Sequence, residues 1–397
     1  MIGDTWRSEL AELRDEKTGR RVLKLTSTGN NYHLYFTENS FDSHKNELIF
    51  LSDRASGQDR LPHDDPHYNL FRLDLASGVI TQLTDEPDSV GSVTKTPDSR
   101  IVVYKTGNQI KTLDPTTGRT SVVYEEAGDY TLGAPSIARN RRYIAFCRNE
   151  RVNVPRGPNY TGFKESFYLI KDGRITVAYL DGSGWFDAFK DTHWVGHFQF
   201  CPDDSTIGSY CHEGPWNLVT QRIWLLDFAS REVKPCFRQD EQDSIGHEFW
   251  TQDGYLFFDD RGPGHDGTIT SSRTQAVATD VPVNQNTMIP FVGLADRNGK
   301  IVKRIDMPFY CNHYHANPDN SLLVGDDVDD LVLIDISKAP ATLKALCNHK
   351  TSWHTQTAHC HPTWSWNGDR ILYASDLGGK VNLYLIWPFD MSASVGG

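Results

Sequence analysis

Asn69-Leu-Phe-Arg-Leu-Asp-Leu-Ala-Ser-Gly-Val-Ile-Thr-Gln-Leu-Thr84 decides the fold. An apolar run ends in Asp74, a turn follows at Ala76–Gly78, and a second β-branched run returns. That is two short strands joined by a tight turn. The pattern recurs at Ile110–Tyr124, Tyr168–Tyr179, Arg222–Lys234, Val292–Lys303, Leu331–Ser337 and Val381–Ile386. Seven copies spaced by about 45–50 residues match the period of four-stranded propeller blades. The preceding half of several blades shows as an Asx turn followed by an apolar strand. Examples are Gln252-Asp-Gly before Leu256, Pro318-Asp-Asn before Leu322, and Trp366-Asn-Gly before Ile371. The last copy lacks a partner, and Arg21–Thr26 is a strand without a blade. The sequence therefore predicts an all-β, seven-bladed β-propeller, its ring closed by the N-terminal strand joining the last blade. Residues 1–397 read as one propeller domain, with about 1–19 as an N-terminal extension. The polar gap from Asp266 to Asn286 reads as a surface insertion within a blade.

Whole-chain properties remove several function classes. The net charge is −12 and no basic cluster stands out, which argues against nucleic acid as a partner. No apolar stretch approaches about 18 residues, so no membrane span is expected, and the amino end carries no secretory pattern. The seven cysteines are scattered without a CxxC pair and read as reduced thiols of a cytoplasmic protein. Cys360 reads as a small core residue.

Histidines carry the functional signal. His197, His247, His313 and His361 each stand six residues before a blade-turn Asx: Asp203, Asp253, Asp319 and Asn367. Equal phase in a repeat means equivalent position in space, so these four should ring one mouth of the channel. For His197 by itself, a blade-start residue bonded to its neighbour is the better reading. In Gln356-Thr-Ala-His359-Cys-His361-Pro362, strand alternation would place His359 and His361 on one face, roughly 6.5–7 Å apart. Gln356 can add an oxygen donor, and a mixed N/O set leans toward manganese or iron(II). His313 supplies a third imidazole; His315 is the alternative, and the phase favours His313. His247, in Gly246-His-Glu-Phe-Trp250, is available as a base. Arg222, at a strand start, offers a planar fork for a carboxylate, although an inter-blade salt bridge is the commoner fate of such a residue.

These segments resemble the oligogalacturonate lyase family, seven-bladed propeller polysaccharide lyases. Cys211-His-Glu-Gly-Pro with Arg222-Ile-Trp, His247-Glu-Phe-Trp with Asp253-Gly254, His313 through Asp326, and Gln356-x-x-His359-x-His361-Pro carry the resemblance, which runs from about residue 20 to the end. It implies a divalent metal, typically Mn²⁺, on His313, His359, His361 and Gln356. It further implies His247 as base and Arg222 as the substrate-carboxylate residue. The expected substrate-binding set is Arg222, His197 and His212. The implied activity is β-elimination on short oligogalacturonides. Alternatives are a lyase for another uronate oligosaccharide, a metal hydrolase, or a non-enzymatic propeller that binds peptide, protein or sugar. No acid for the leaving group is evident; Lys105 and tyrosines qualify only by type.

Overall fold

The computed structural model describes residues 1–155, 161–261, 290–307 and 309–389. Within them, strands form seven antiparallel sheets of four or five strands each. The first blade comprises Asn31–His33, Glu47–Ser52, Asn69–Asp74 and Ile80–Gln82, with Thr5–Trp6 added outside Ile80–Gln82. The seventh comprises Thr363–Trp364, Ile371–Ser375 and Asn382–Ile386, then Arg21–Lys24 and Ala11–Arg14. Val22 pairs with Ile386 and Lys24 with Tyr384, so the early strand closes the ring as the sequence indicated. Two features were not legible. Ala11–Arg14 extends the closure by a second strand, and Thr5–Trp6 crosses to the neighbouring blade.

Each blade is buried on both faces. The seven apolar clusters of the described residues each join two neighbouring blades; Leu34, Ile49 and Leu70 pack with Val90, Val102 and Tyr104 between the first and second. Two-sided burial explains why strands such as Leu48-Ile-Phe-Leu51 read as unbroken apolar runs rather than alternating ones. Cys360 lies in the layer between the sixth and seventh blades, and all seven cysteines are free and buried. No described helix is long and apolar enough to cross a membrane.

One repeat differs from its sequence reading. Tyr168 and Leu169 end a short helix, Phe163–Leu169, and the strand of that copy is Gly173–Tyr179. The Asp266–Asn286 stretch lies outside the described residues, between the strands Leu256–Asp260 and Phe291–Ala295.

The innermost strands share a device that explains the histidine phase. In the second to fifth blades the ladder slips between Gly91 and Thr94, Leu132 and Pro135, Gly196 and Gln199, and Ile245 and Glu248. Each bulge falls on the position six residues before the blade-turn Asx. In the sixth blade the same position, His313, directly precedes the strand, and in the seventh His361 stands one residue further out, before Pro362. Ser92, His197 and His361 adopt positive φ there, at 47°, 50° and 44°. A bulge frees a residue from the ladder and re-aims its side chain. Repeating it in four successive blades re-aims the same position each time.

Candidate metal and catalytic centre

His313, His359 and His361 converge. One ligand nitrogen of each lies within 4.8 Å of the others, and all three rings are buried. Ring centroids are 4.2 Å apart for His313 and His361 and 5.6 Å for His359 with either. The route to this point is not the strand alternation expected for His359 and His361. Gln356–Ala358 forms a 3₁₀ turn, the strand starts only at Thr363, and the left-handed backbone of His361 brings its ring beside that of His359. Pro362 and the turn override the strand geometry.

The hydrogen bonds of this cluster suit a metal site. His313 Nδ1 is 2.9 Å from Asp326 Oδ2, while Asp326 Oδ1 accepts the His313 backbone N–H at 2.6 Å. That contact orients the ring and leaves Nε2 for a ligand. His359 Nδ1 and His361 Nε2 are buried without any hydrogen-bond partner. An unsatisfied buried polar atom costs about 1–3 kcal/mol, so two side by side with a third imidazole fit an ion held between them. Burial holds His313 and His359 down at about 3 and His361 well below the ordinary range, so all three are neutral, as ligands must be. Gln356 lines one cavity with His313, whereas His315 does not; its Nδ1 accepts the Trp364 backbone N–H at 3.2 Å.

That cavity has a volume of about 190 Å³ and is bordered by His197, Glu213, Arg222, His247, His313 and Gln356, with aromatic walls from Tyr35, Phe163 and Trp216. It shares Tyr35, His197, Glu213 and Gln356 with an adjoining hollow of about 600 Å³. His247 stands 4.9 Å from His313, ring to ring. Its Nδ1 is 3.2 Å from Arg261 Nη2 and 3.5 Å from Asp259 Oδ2. Burial, then the Arg261 charge, holds His247 well below its ordinary range. Gly246 is required here: a Cβ would lie 2.3 Å from Asp259 Oδ1, the atom that accepts the His247 backbone N–H.

Arg222 combines the two fates weighed from the sequence. It lines the cavity, and it bridges blades through Glu213 at 3.3 Å and Glu248 at 3.3 Å. His197 also lines the cavity, with Nε2 3.2 Å from Glu213 Oε2. His212 does not. Alternation along Asp204–His212 turns it away from the side that Glu213 serves. Its Nε2 lies 2.9 Å from Asp191 Oδ2 and its ring stacks on His193 at 4.2 Å. Lys105 donates to the Leu132 carbonyl and is absent from the cavity lining. Two other groups meet the 4.8 Å spacing, Asp191/His193/His212 and His197/Cys211/Glu213.

Sequence reasoning missed Glu213, Asp259, Asp326, Tyr35, Phe163 and Trp216. Only His33 carried an unused phase signal. It stands six residues before Asn39, ends the innermost strand of the first blade, and sits 6.4 Å from His361, ring to ring.

The family model for oligogalacturonate lyase matches residues 7–261. The chain belongs to the oligogalacturonate lyase family. Two curated members, an oligogalacturonide lyase of Pectobacterium atrosepticum and an oligogalacturonate lyase of Dickeya dadantii, are each 24% identical over 94% of both chains. An oligogalacturonate lyase solved in complex with manganese superposes with a TM-score of 0.81 at 24% identity, covering 98% of this chain and 99% of that one. The Vibrio parahaemolyticus oligogalacturonate lyase gives 0.81 at 22% identity, with the same coverage. The family match stops before His313, so the ligand cluster is argued from geometry, independently of that match.

Proposed function

We propose that the protein is a metal-dependent lyase that cleaves short oligogalacturonides by β-elimination, releasing unsaturated uronates. The observation that carries this is a cluster of three neutral, buried imidazoles, two with orphaned nitrogens, whose third member, His313, lines one cavity with Gln356, Arg222 and His247. His313, His359, His361 and Gln356 would hold a divalent ion, most suitably Mn²⁺ given the mixed nitrogen and oxygen donors. When bound, that ion supplies Lewis-acid neutralisation of the uronate carboxylate, which acidifies the neighbouring C5 proton.

The chain's own residues do the rest. Glu213 and Glu248 take up Arg222 Nη1 and Nε and fix the plane of its fork. Arg222, which lines the cavity, meets the substrate carboxylate. His247, kept neutral by burial and by the Arg261 charge, takes the C5 proton. Tyr35, Phe163 and Trp216 offer apolar faces to the sugar ring and limit water. The scattered free thiols suit a reducing, cytoplasmic compartment, and the charge of −12 gives no footing for nucleic acid.

The test is the ultraviolet absorbance of the unsaturated uronate on digalacturonate and trigalacturonate, with metal-stripped protein and with added Mn²⁺. A metal-dependent rise is expected. A rise only on other uronate oligomers changes the substrate; no rise on any, with no bound metal, leaves a binding propeller. His247→Ala should lose about 10²–10⁴ in kcat while metal content stays unchanged. Full turnover in that variant removes His247 as the base.

A further inference from the structure

Two histidines of the cavity have partners of opposite charge. His197 Nε2 faces the Glu213 carboxylate at 3.2 Å, whereas His247 Nδ1 faces the Arg261 guanidinium at 3.2 Å. A carboxylate partner favours the imidazolium and a guanidinium partner the neutral ring. Both residues occupy the bulge position of adjacent blades, and both line the cavity that His313 and Gln356 enter. Titratable groups that share a site and are driven apart mark the acid and the base.

We propose that His197 is the general acid of the elimination, donating its proton to O4 of the departing sugar. This role rests on the lyase reading above. Glu213 receives Nε2–H and fixes the ring, which leaves Nδ1–H as the donor to substrate. Glu213 is in turn held by Arg222 at 3.3 Å. The step balances. The C5–H bonding pair becomes the second C4–C5 bond, the C4–O4 pair leaves with oxygen, and O4 gains the His197 proton. His247 ends with the C5 proton, and exchange with solvent restores both rings.

The groups facing His197 are Glu213 and Glu248, which favour its charge, Arg222, which opposes it, the Cys211 thiol, the neutral His247 and the Tyr35 ring at 6.0 Å. Burial lowers its affinity for the proton, but the Glu213 hydrogen bond and charge outweigh it and the net shift is upward. The acid form is thus present below this raised pKa and is lost as pH rises through it. Turnover should fall on the alkaline side for that reason.

The experiment compares digalacturonate with a galacturonate carrying 4-nitrophenoxy at C4, whose leaving group departs without a proton. His197→Asn is expected to lose about 10²–10⁴ in kcat on digalacturonate and less than about threefold on the aryl substrate, with metal content unchanged. Glu213→Gln is expected to move the alkaline limb to lower pH. Equal losses of His197→Asn on both substrates, or full activity on digalacturonate, overturn the proposal. Should His197→Asn fail to fold, an unmoved alkaline limb in Glu213→Gln overturns it instead. Wild-type protein that turns over neither substrate ends the lyase reading, and this role with it.

Discussion

The His313/His359/His361 group and the Asp191/His193/His212 group meet the same 4.8 Å spacing, yet their chemistry differs. In the second, one Asp191 oxygen meets His193 Nδ1 at 2.9 Å and the other meets His212 Nε2 at 2.9 Å, and the His193 side chain is 53% exposed. Its polar atoms satisfy one another and water reaches the edge. The first group is buried, has two nitrogens with no hydrogen-bond partner, and uses the Asp326 carboxylate to aim a ring rather than to fill the centre. Proximity of ligand types is common; unsatisfied, pre-aimed proximity is what distinguishes a metal centre.

The contrast can be broken most directly at the orphaned nitrogens. His361→Ala or His359→Ala should abolish both bound manganese and turnover, measured by elemental analysis and the uronate absorbance. Stoichiometric metal in either variant would erase the distinction. Asp326→Asn acts one shell out and should weaken metal affinity by about 10–100-fold in a chelator titration, with the fold intact. An unchanged affinity would mean that the ring needs no aiming. The smallest effect is expected at the satisfied group. His193→Asn should leave metal content unchanged and shift stability by no more than about 0.5 kcal/mol. A fall in bound metal there would make the second group a site as well.

The ring and the three histidines of the first group were legible in the sequence; the second group was not. The ring follows from a strand–turn–strand pattern that recurs because every blade must solve the same packing problem. The histidines at 197 and 247 share a phase because a bulge sits at the same place in successive inner strands, and those at 313 and 361 keep it just ahead of theirs. What stayed hidden has no repeat to announce it. Asp326 and Asp259 sit at or near the ends of second strands and look like ordinary turn acids until a ring is placed against them. His212 was misplaced because a strand puts neighbours on opposite sides, and only pairing register tells which side faces the channel. The path through His361 depends on a left-handed residue that alternation cannot foresee. The Phe163–Leu169 helix interrupts a blade, so Phe163 could not be put in phase with anything.

The closure of the ring has a consequence for assembly. His313 belongs to the sixth blade, whereas His359 and His361 belong to the seventh, the sheet completed by Arg21–Lys24 laid along Asn382–Ile386. An ion held by all three is a rivet beside the seam where distant parts of the chain meet. An opened ring that separated these blades would give up that ion, so metal activity in solution would set how tightly the ring stays shut, by RT ln(1 + [M]/Kd). The cofactor of the reaction would then also be the clasp of the propeller that houses it.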